Sequence, residues 1–212
     1  MDGEKGRAAD VVSIGGKEIA SRSETRRGGE LWEWGKAIFV GLLLALFVRT
    51  FLFQPTIVEG DSMAETLKPH ERVLVNRFIY HFVPIRRGDI VVFHGIGGKE
   101  LIKRVIGLPG DRIEMRHDVL YVNGQPVEEP YLAENLRTWA EKEKLLGFSP
   151  PRPFTEDFPE VQVPPGKLFV LGDNRPASSD SRFFGFISVD DLVGRADLVY
   201  WPLDRIRWLG GS

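Results

Sequence analysis

The chain has 212 residues, 42% of them hydrophobic and 27% charged, which suits one ordinary globular domain with a tail or an anchor. Its 28 Lys and Arg against 30 Asp and Glu leave a net charge of −2, without the clustered positive charge that nucleic acid demands, so nucleic acid is not an expected partner. It contains no cysteine, which excludes disulfides, thiol nucleophiles and thiolate metal sites, and permits an oxidising compartment without requiring one.

Residues 1–30 mix charges with Gly-rich and Ser-rich breaks and offer few large apolar side chains, which predicts a disordered tail. From Ala37 to Val48 every residue is apolar or glycine, and Phe51, Leu52 and Phe53 continue the run past Arg49 and Thr50. At about 1.5 Å per helical residue the run rises about 25 Å, and Leu31, Trp32 and Trp34 extend it toward the thickness of a hydrocarbon core, about 30 Å. The sequence therefore predicts a transmembrane signal anchor over 31–53, with a buried core helix as the alternative. A cleaved signal peptide would need a small-residue A-x-A site after the run, where Gln54, Pro55, Thr56 and Ile57 stand instead. Arg22, Arg26, Arg27 and Lys36 lie on the N-terminal side, whereas Lys68 is the one Lys or Arg between Gln54 and Glu71. The positive-inside rule then predicts a single-pass protein of the cell membrane, with 1–30 cytoplasmic and 54–212 an extracytoplasmic domain.

Past Pro55 the pattern changes to short β-branched runs separated by Gly, Pro, Asp and Asn: Arg72–Asn76, Asp89–His94, Glu100–Gly107, Arg112–Arg116, Val119–Val122, Lys167–Gly172 and Leu192–Trp201. This predicts a mainly β, antiparallel domain. Asn123-Gly124 and Pro109-Gly110-Asp111 mark turns. One helix is expected outside the anchor, Ala133 to Leu146, closed by Gly147 and followed by a proline-rich stretch, so 130–160 reads as an inserted excursion. The aromatic and aliphatic run Arg77–Ile85 suits either a membrane interface or the domain core.

Three segments hold residues able to do chemistry. Ser62 sits in Glu59–Leu67, nine residues after Phe53, and fits either a reactive serine close to the membrane or a turn serine bonded to its own backbone. In Glu100–Gly107, strand alternation puts Lys103 and Arg104 on opposite faces, so one of the two should point inward. A buried Lys103 would have its ammonium disfavoured and be available as a base, while a half-exposed one would snorkel. Gly172–Arg182 packs Asp173, Asn174, Arg175, Ser178, Asp180 and Arg182 directly after an apolar strand, as in a site-shaping loop or a solvated one, with Asp180 and Arg182 a candidate ion pair.

In order along the chain, S-M-x-x-T-L from Ser62, K-R-V-I-G-L-P-G-D from Lys103 and G-D-N-R-x-x-S-x-D-S-R from Gly172 resemble the type I signal peptidases (leader peptidases) of bacteria. Arg72–Asn76 and Arg86–Phe93 carry the resemblance across most of 54–202 and leave out 1–30 and roughly 130–160. It implies a signal-peptidase-like antiparallel β domain with one N-terminal transmembrane helix. The implied activity is that of a membrane-anchored serine endopeptidase removing signal peptides from secretory preproteins at A-x-A-like sites. Its partners are then those preproteins and membrane lipid, with no metal or organic cofactor. Residue by residue, Ser62 matches the nucleophile, Lys103 the general base, Ser178 the serine that hydrogen-bonds the lysine, and Asp180 with Arg182 the supporting pair. Two positions depart from the family pattern. Glu65 stands where members commonly carry proline, and a strand-like alternation would turn it to solvent, away from Lys103. Gly60 stands where some members have a serine that helps hold the oxyanion, which shifts that task toward backbone N–H groups, Ser62's own first. A membrane-anchored module that binds exported chains without cutting them is the rival reading. A self-cleaving peptidase of the repressor type is another.

Overall fold

The computed structural model describes residues 24–47 and 53–210. They comprise helix α1 (Glu24–Phe47) and, as a separate compact unit, a β body. The body contains β1 (Phe53–Ile57), β2 (Arg72–Asn76), β3 (Ile90–His94), β4 (Glu100–Gly107), β5 (Arg112–Arg116), β6 (Val119–Val122), β7 (Gln125–Val127), α2 (Ala133–Leu146), β8 (Phe158–Gln162), β9 (Lys167–Leu171), α3 (Ser181–Phe184), β10 (Ile187–Ser188), β11 (Leu192–Trp201) and β12 (Arg207–Trp208).

Helix α1 differs from the anchor expected over 31–53. It begins at Glu24, inside the expected tail, and ends at Phe47, while Phe53 opens β1. Residues 1–23 of the expected tail and 48–52 of the expected anchor lie outside the described residues. Among the described residues no helix is long and apolar enough to cross a membrane. The reason is compositional: Glu30, Glu33 and Lys36 interrupt the helix, and the apolar run from Ala37 to Phe47 rises only about 16 Å. Apolar side chains of α1 are exposed, Ile38, Phe39, Leu42 and Leu44 among them.

In the β body every pairing is antiparallel. The larger sheet has the order β1-β2-β11-β3-β4-β9-β10 with β12 against β11, and the smaller one runs β7-β6-β5-β8. Strands β2, β4, β5, β6 and β11 have the boundaries that β-branched runs and turn residues predict. Strands β1, β7 and β8 escape that reading because Pro55, Pro126 and Pro159 stand in them, and all three lie at sheet edges, where a missing N–H breaks no ladder.

The continuous apolar run of β3 follows from burial on both faces. Ile90 and Val92 join one cluster with Met63, Leu67, Val73 and Val75, while Val91 and Phe93 join another with Val105, Leu168 and Val170. A third cluster ties the sheets together, Ile106, Phe169 and Leu171 of the large sheet meeting Ile113, Met115 and Leu120 of the small one. The expected helix is present as α2, stopped by Gly147, whose φ of 74° lets its N–H reach the Glu143 and Lys144 carbonyls. The excursion expected over 130–160 rejoins the body at Phe158, where β8 pairs with β5. In the run Arg77–Ile85, Tyr80 and Ile85 pack against the core while Phe78 and Phe82 are exposed. The run forms a short 3₁₀ turn on which Phe78 stacks against His81 at 4.6 Å and Phe82 is 74% exposed, while the Tyr80 hydroxyl turns back to Asp89 at 3.1 Å.

Candidate active site

Ser62 lies in a chain of turns between β1 and β2. The Asp61 carbonyl accepts from the Ala64 N–H at 3.0 Å and the Met63 carbonyl from the Leu67 N–H at 2.7 Å, and Met63 and Leu67, both fully buried, pin the turns to the core. Asn174 grips the same turns from the far loop. Its backbone N–H donates to the Ser62 carbonyl and its side-chain amide to the Asp61 carbonyl, both at 3.0 Å. Loop and serine, more than a hundred residues apart in sequence, are thereby fixed to each other.

Lys103, on β4, brings its Nζ to 2.6 Å from Ser62 Oγ and to 3.1 Å from the Ile102 carbonyl. Alternation predicts one inward cation on this strand, but Lys103 and Arg104 are both 3% exposed. The cause is that β4 is covered on both faces from Lys103 onward, so neither side of that part of the strand is a solvent side. Burial lowers the pKa of Lys103 below the ordinary lysine range, while Asp180 and Asp173 act in the opposite direction.

Each of those carboxylates is held by an arginine. Arg104 binds Asp173 through Nε at 2.9 Å and Nη2 at 2.6 Å, donates to the Gly88 carbonyl at 2.8 Å, and lies 3.8 Å from the ring of Tyr131. Arg182 binds Asp180 through Nε at 2.8 Å and Nη2 at 2.9 Å, which makes the candidate ion pair a two-bonded one. Asp180 also accepts the Gly172 N–H at 3.1 Å, and Arg182 reaches the Arg175 and Ser178 carbonyls at 2.7 and 3.3 Å. Arg175 is fully buried, donates to the Gly172 carbonyl at 3.0 Å and is paired with Glu129.

Ser178 departs from expectation. The resemblance implies a hydrogen bond to Lys103, yet its buried Oγ has no hydrogen-bond partner among the described residues, because the lysine nitrogen is directed to Ser62 and the Ile102 carbonyl. Ser178 Oγ nevertheless lies, with the Ser62 carbonyl, against Gly172. A Cβ built on Gly172 would fall 2.2 Å from that oxygen and 2.4 Å from the Ser62 carbonyl. Glu65 is exposed, as expected, though not through strand alternation: it occupies a turn at φ 69° and its carboxylate lies 3.6 Å from Lys68. Gly60, also exposed, has φ 76°. Sequence reasoning missed Glu129, Tyr131 and Thr155, which no local pattern marks and which reach the site only because the excursion folds back onto it.

Ser62 and Lys103 line a cavity of about 680 Å³ whose walls come from 54–60 on one side and 99–103 on the other. Among the described residues the outer edge of β1 is unpaired within the sheet, and β4 pairs with β9 only from Arg104 onward. Two strand edges with free backbone groups therefore flank the serine.

A family model described as signal peptidase, peptidase S26, matches residues 31–201. The chain belongs to this family. It is 44% identical over 193 residues to a signal peptidase I of Bacillus amyloliquefaciens, covering 90% of this chain and 96% of the relative. It is 47% identical over 177 residues to signal peptidase I T of Bacillus subtilis strain 168, covering 82% and 88% respectively. A crystal structure of a signal peptidase I from Enterococcus faecalis V583 is 38% identical, aligned over 53% of this chain and 97% of its own with a TM-score of 0.46. The chain is accordingly a serine peptidase of the signal peptidase type, and the relatives lend the non-cleaving binding module no support.

Two expected outcomes test how this signal peptidase fold builds its site. Gly172→Ala drives a methyl group into the Ser62 carbonyl and Ser178 Oγ, so preprotein cleavage should fall at least about a hundredfold, the scale on which small misplacements of reacting groups act. Activity within threefold of wild type would show that the loop yields without moving the serine. Glu65→Gly should raise the free energy of unfolding by about 1 kcal/mol by relieving a left-handed residue, whereas Glu65→Pro, locked at φ of about −65°, should lower it by more than about 1 kcal/mol. Denaturant melts of both variants measure this, and a stabilising proline would mean that the turn does not hold φ 69° at this position.

Proposed function

We propose that this chain cleaves N-terminal signal peptides from exported preproteins with Ser62 as nucleophile and Lys103 as general base. The observation that carries the assignment is the 2.6 Å contact between a buried lysine nitrogen and a serine hydroxyl at the wall of an open groove. A neutral Lys103 takes the Ser62 proton as Oγ attacks the scissile carbonyl, then delivers it to the departing amine. The resulting ester is hydrolysed by a water that the same amine deprotonates. The Ser62 N–H is the first oxyanion donor, since Gly60 has no hydroxyl to offer. Asn174 sets the turn carrying the nucleophile, Asp173 and Asp180 are held by Arg104 and Arg182, Arg175 supports the Gly172 carbonyl, and Ser178 stands ready to bond the lysine once its nitrogen swings from Ser62.

The free edges of β1 and β4 suit a substrate bound extended between them, its backbone pairing with both. Val73, Val92 and Ile102 give the groove an apolar lining, which suits the small apolar side chains of an A-x-A-like site. The apolar stretch within 31–53 that precedes β1 serves as the membrane anchor, with 1–30 cytoplasmic and 54–212 outside. Exposed Phe78 and Phe82 offer further apolar contact to lipid.

Cleavage of one purified preprotein in detergent tests the chemistry. Ser62→Ala and Lys103→Arg should both be inactive, since a guanidinium stays protonated and is no base. For the wild type, kcat/KM should rise with pH as Lys103 loses its proton. Burial depresses that pKa, so the rise should centre below the ordinary lysine value of about 10.4. An active Lys103→Arg, or a rise centred at or above the ordinary value, would reassign the base. For topology, protease added to intact spheroplasts should degrade the β body and spare an epitope placed before Leu31; the reverse pattern would overturn the orientation.

A further inference from the structure

Glu129 follows β7 at the start of the excursion, far in sequence from Ser62, Lys103 and Gly172, and yet its side chain, only 8% exposed, pairs with Arg175 of the loop that frames the serine. Arg175 has no exposed surface, and a buried guanidinium without a carboxylate costs several kcal/mol. Glu129 supplies that carboxylate: Arg175 donates to both of its oxygens, and Oε1 also accepts the Tyr131 hydroxyl at 2.5 Å. Two arms run from this point. Along one, Arg175 Nε donates to the Gly172 carbonyl at 3.0 Å, at the residue where Ser178 Oγ and the Ser62 carbonyl crowd together. Along the other, the Tyr131 ring packs 3.8 Å from the Arg104 guanidinium, which holds Asp173 and directly follows Lys103 on β4.

We propose that Glu129 is a positioning residue for the serine and lysine pair, acting through Arg175 on the Gly172 carbonyl and through Tyr131 on Arg104. The proposal rests on the roles given above to Ser62 and Lys103. Glu129 is not among the residues lining the groove, so it acts on the geometry of the reacting atoms and not on substrate affinity. Without its charge Arg175 turns to Asp173, the other carboxylate acting on it, which Arg104 already occupies with two bonds. That competition pulls the loop out of register with Ser62.

Steady-state kinetics on a single preprotein, well below the melting temperature, test this with wild type, Glu129→Gln and the double variant Glu129→Gln/Arg175→Met. Glu129→Gln should lower kcat about tenfold or more with KM within twofold of wild type, and should also lower Tm. The double variant removes the stranded charge and should recover much of the Tm, yet kcat should remain low because no guanidinium holds the Gly172 carbonyl. Wild-type kcat in folded Glu129→Gln, or recovery of kcat together with Tm in the double variant, would reduce Glu129 to a purely structural residue. A rise in KM with unchanged kcat would overturn the proposal as well. Ser62→Ala, run alongside, checks the underlying assignment separately: if it still cleaves, that assignment fails, whatever Glu129 does.

Discussion

A lysine buried close to two carboxylates is the constraint from which the organisation around Ser62 follows. Asp173 and Asp180 both favour the ammonium form of Lys103, and burial alone opposes them. The fold limits their pull by giving each carboxylate its own arginine with two bonds, Arg104 on Asp173 and Arg182 on Asp180. Since the two arginines are themselves almost fully buried, they need the acidic partners as much as the partners need them. Charges at the centre thus come in matched pairs, and Lys103 is left facing the serine with its ammonium form disfavoured by burial.

Rigidity at Ser62 comes from backbone contacts on one side and core packing on the other. The Ser62 and Asp61 carbonyls both end on Asn174, while Gly172 approaches the Ser62 carbonyl so closely that only a glycine fits. From below, Met63 and Leu67 enter the same apolar cluster as Val73, Val75 and Val92. The turn is therefore fixed by core burial on one side and by hydrogen bonds from the loop after β9 on the other. Glu71, buried and bound by Arg207 and Arg205, closes the far end of the turns onto the C-terminal β12, and Arg207 also donates to the Thr66 carbonyl.

The edges that receive a substrate in the proposed reading are consequences of sheet order. Pro55 removes one donor from β1 without disturbing its pairing with β2, as an edge strand tolerates. The first half of β4 is free on one side because β9 pairs only from Arg104 onward. Both edges present backbone donors and acceptors to the groove that Ser62 lines.

The sequence by itself determined the β character of the body, the boundaries of β2, β4, β5, β6, β11 and α2, and the family, because β-branched runs, turn glycines and three motifs in order are local properties. It also marked Ser62, Lys103 and the Asp180 to Arg182 pair, since these stand inside long motifs. Tertiary structure alone decided that Lys103 and Arg104 are both buried, because burial of a strand depends on what covers it and not on its own alternation. It alone placed Ser178 Oγ beside Gly172, without a partner among the described residues, and set Glu65 at a positive φ in a turn where alternation suggested a strand. And it alone brought Glu129, Tyr131 and Thr155 to Arg104 and Arg175, since a contact between an excursion and a loop some twenty to fifty residues away leaves no periodic trace in either segment.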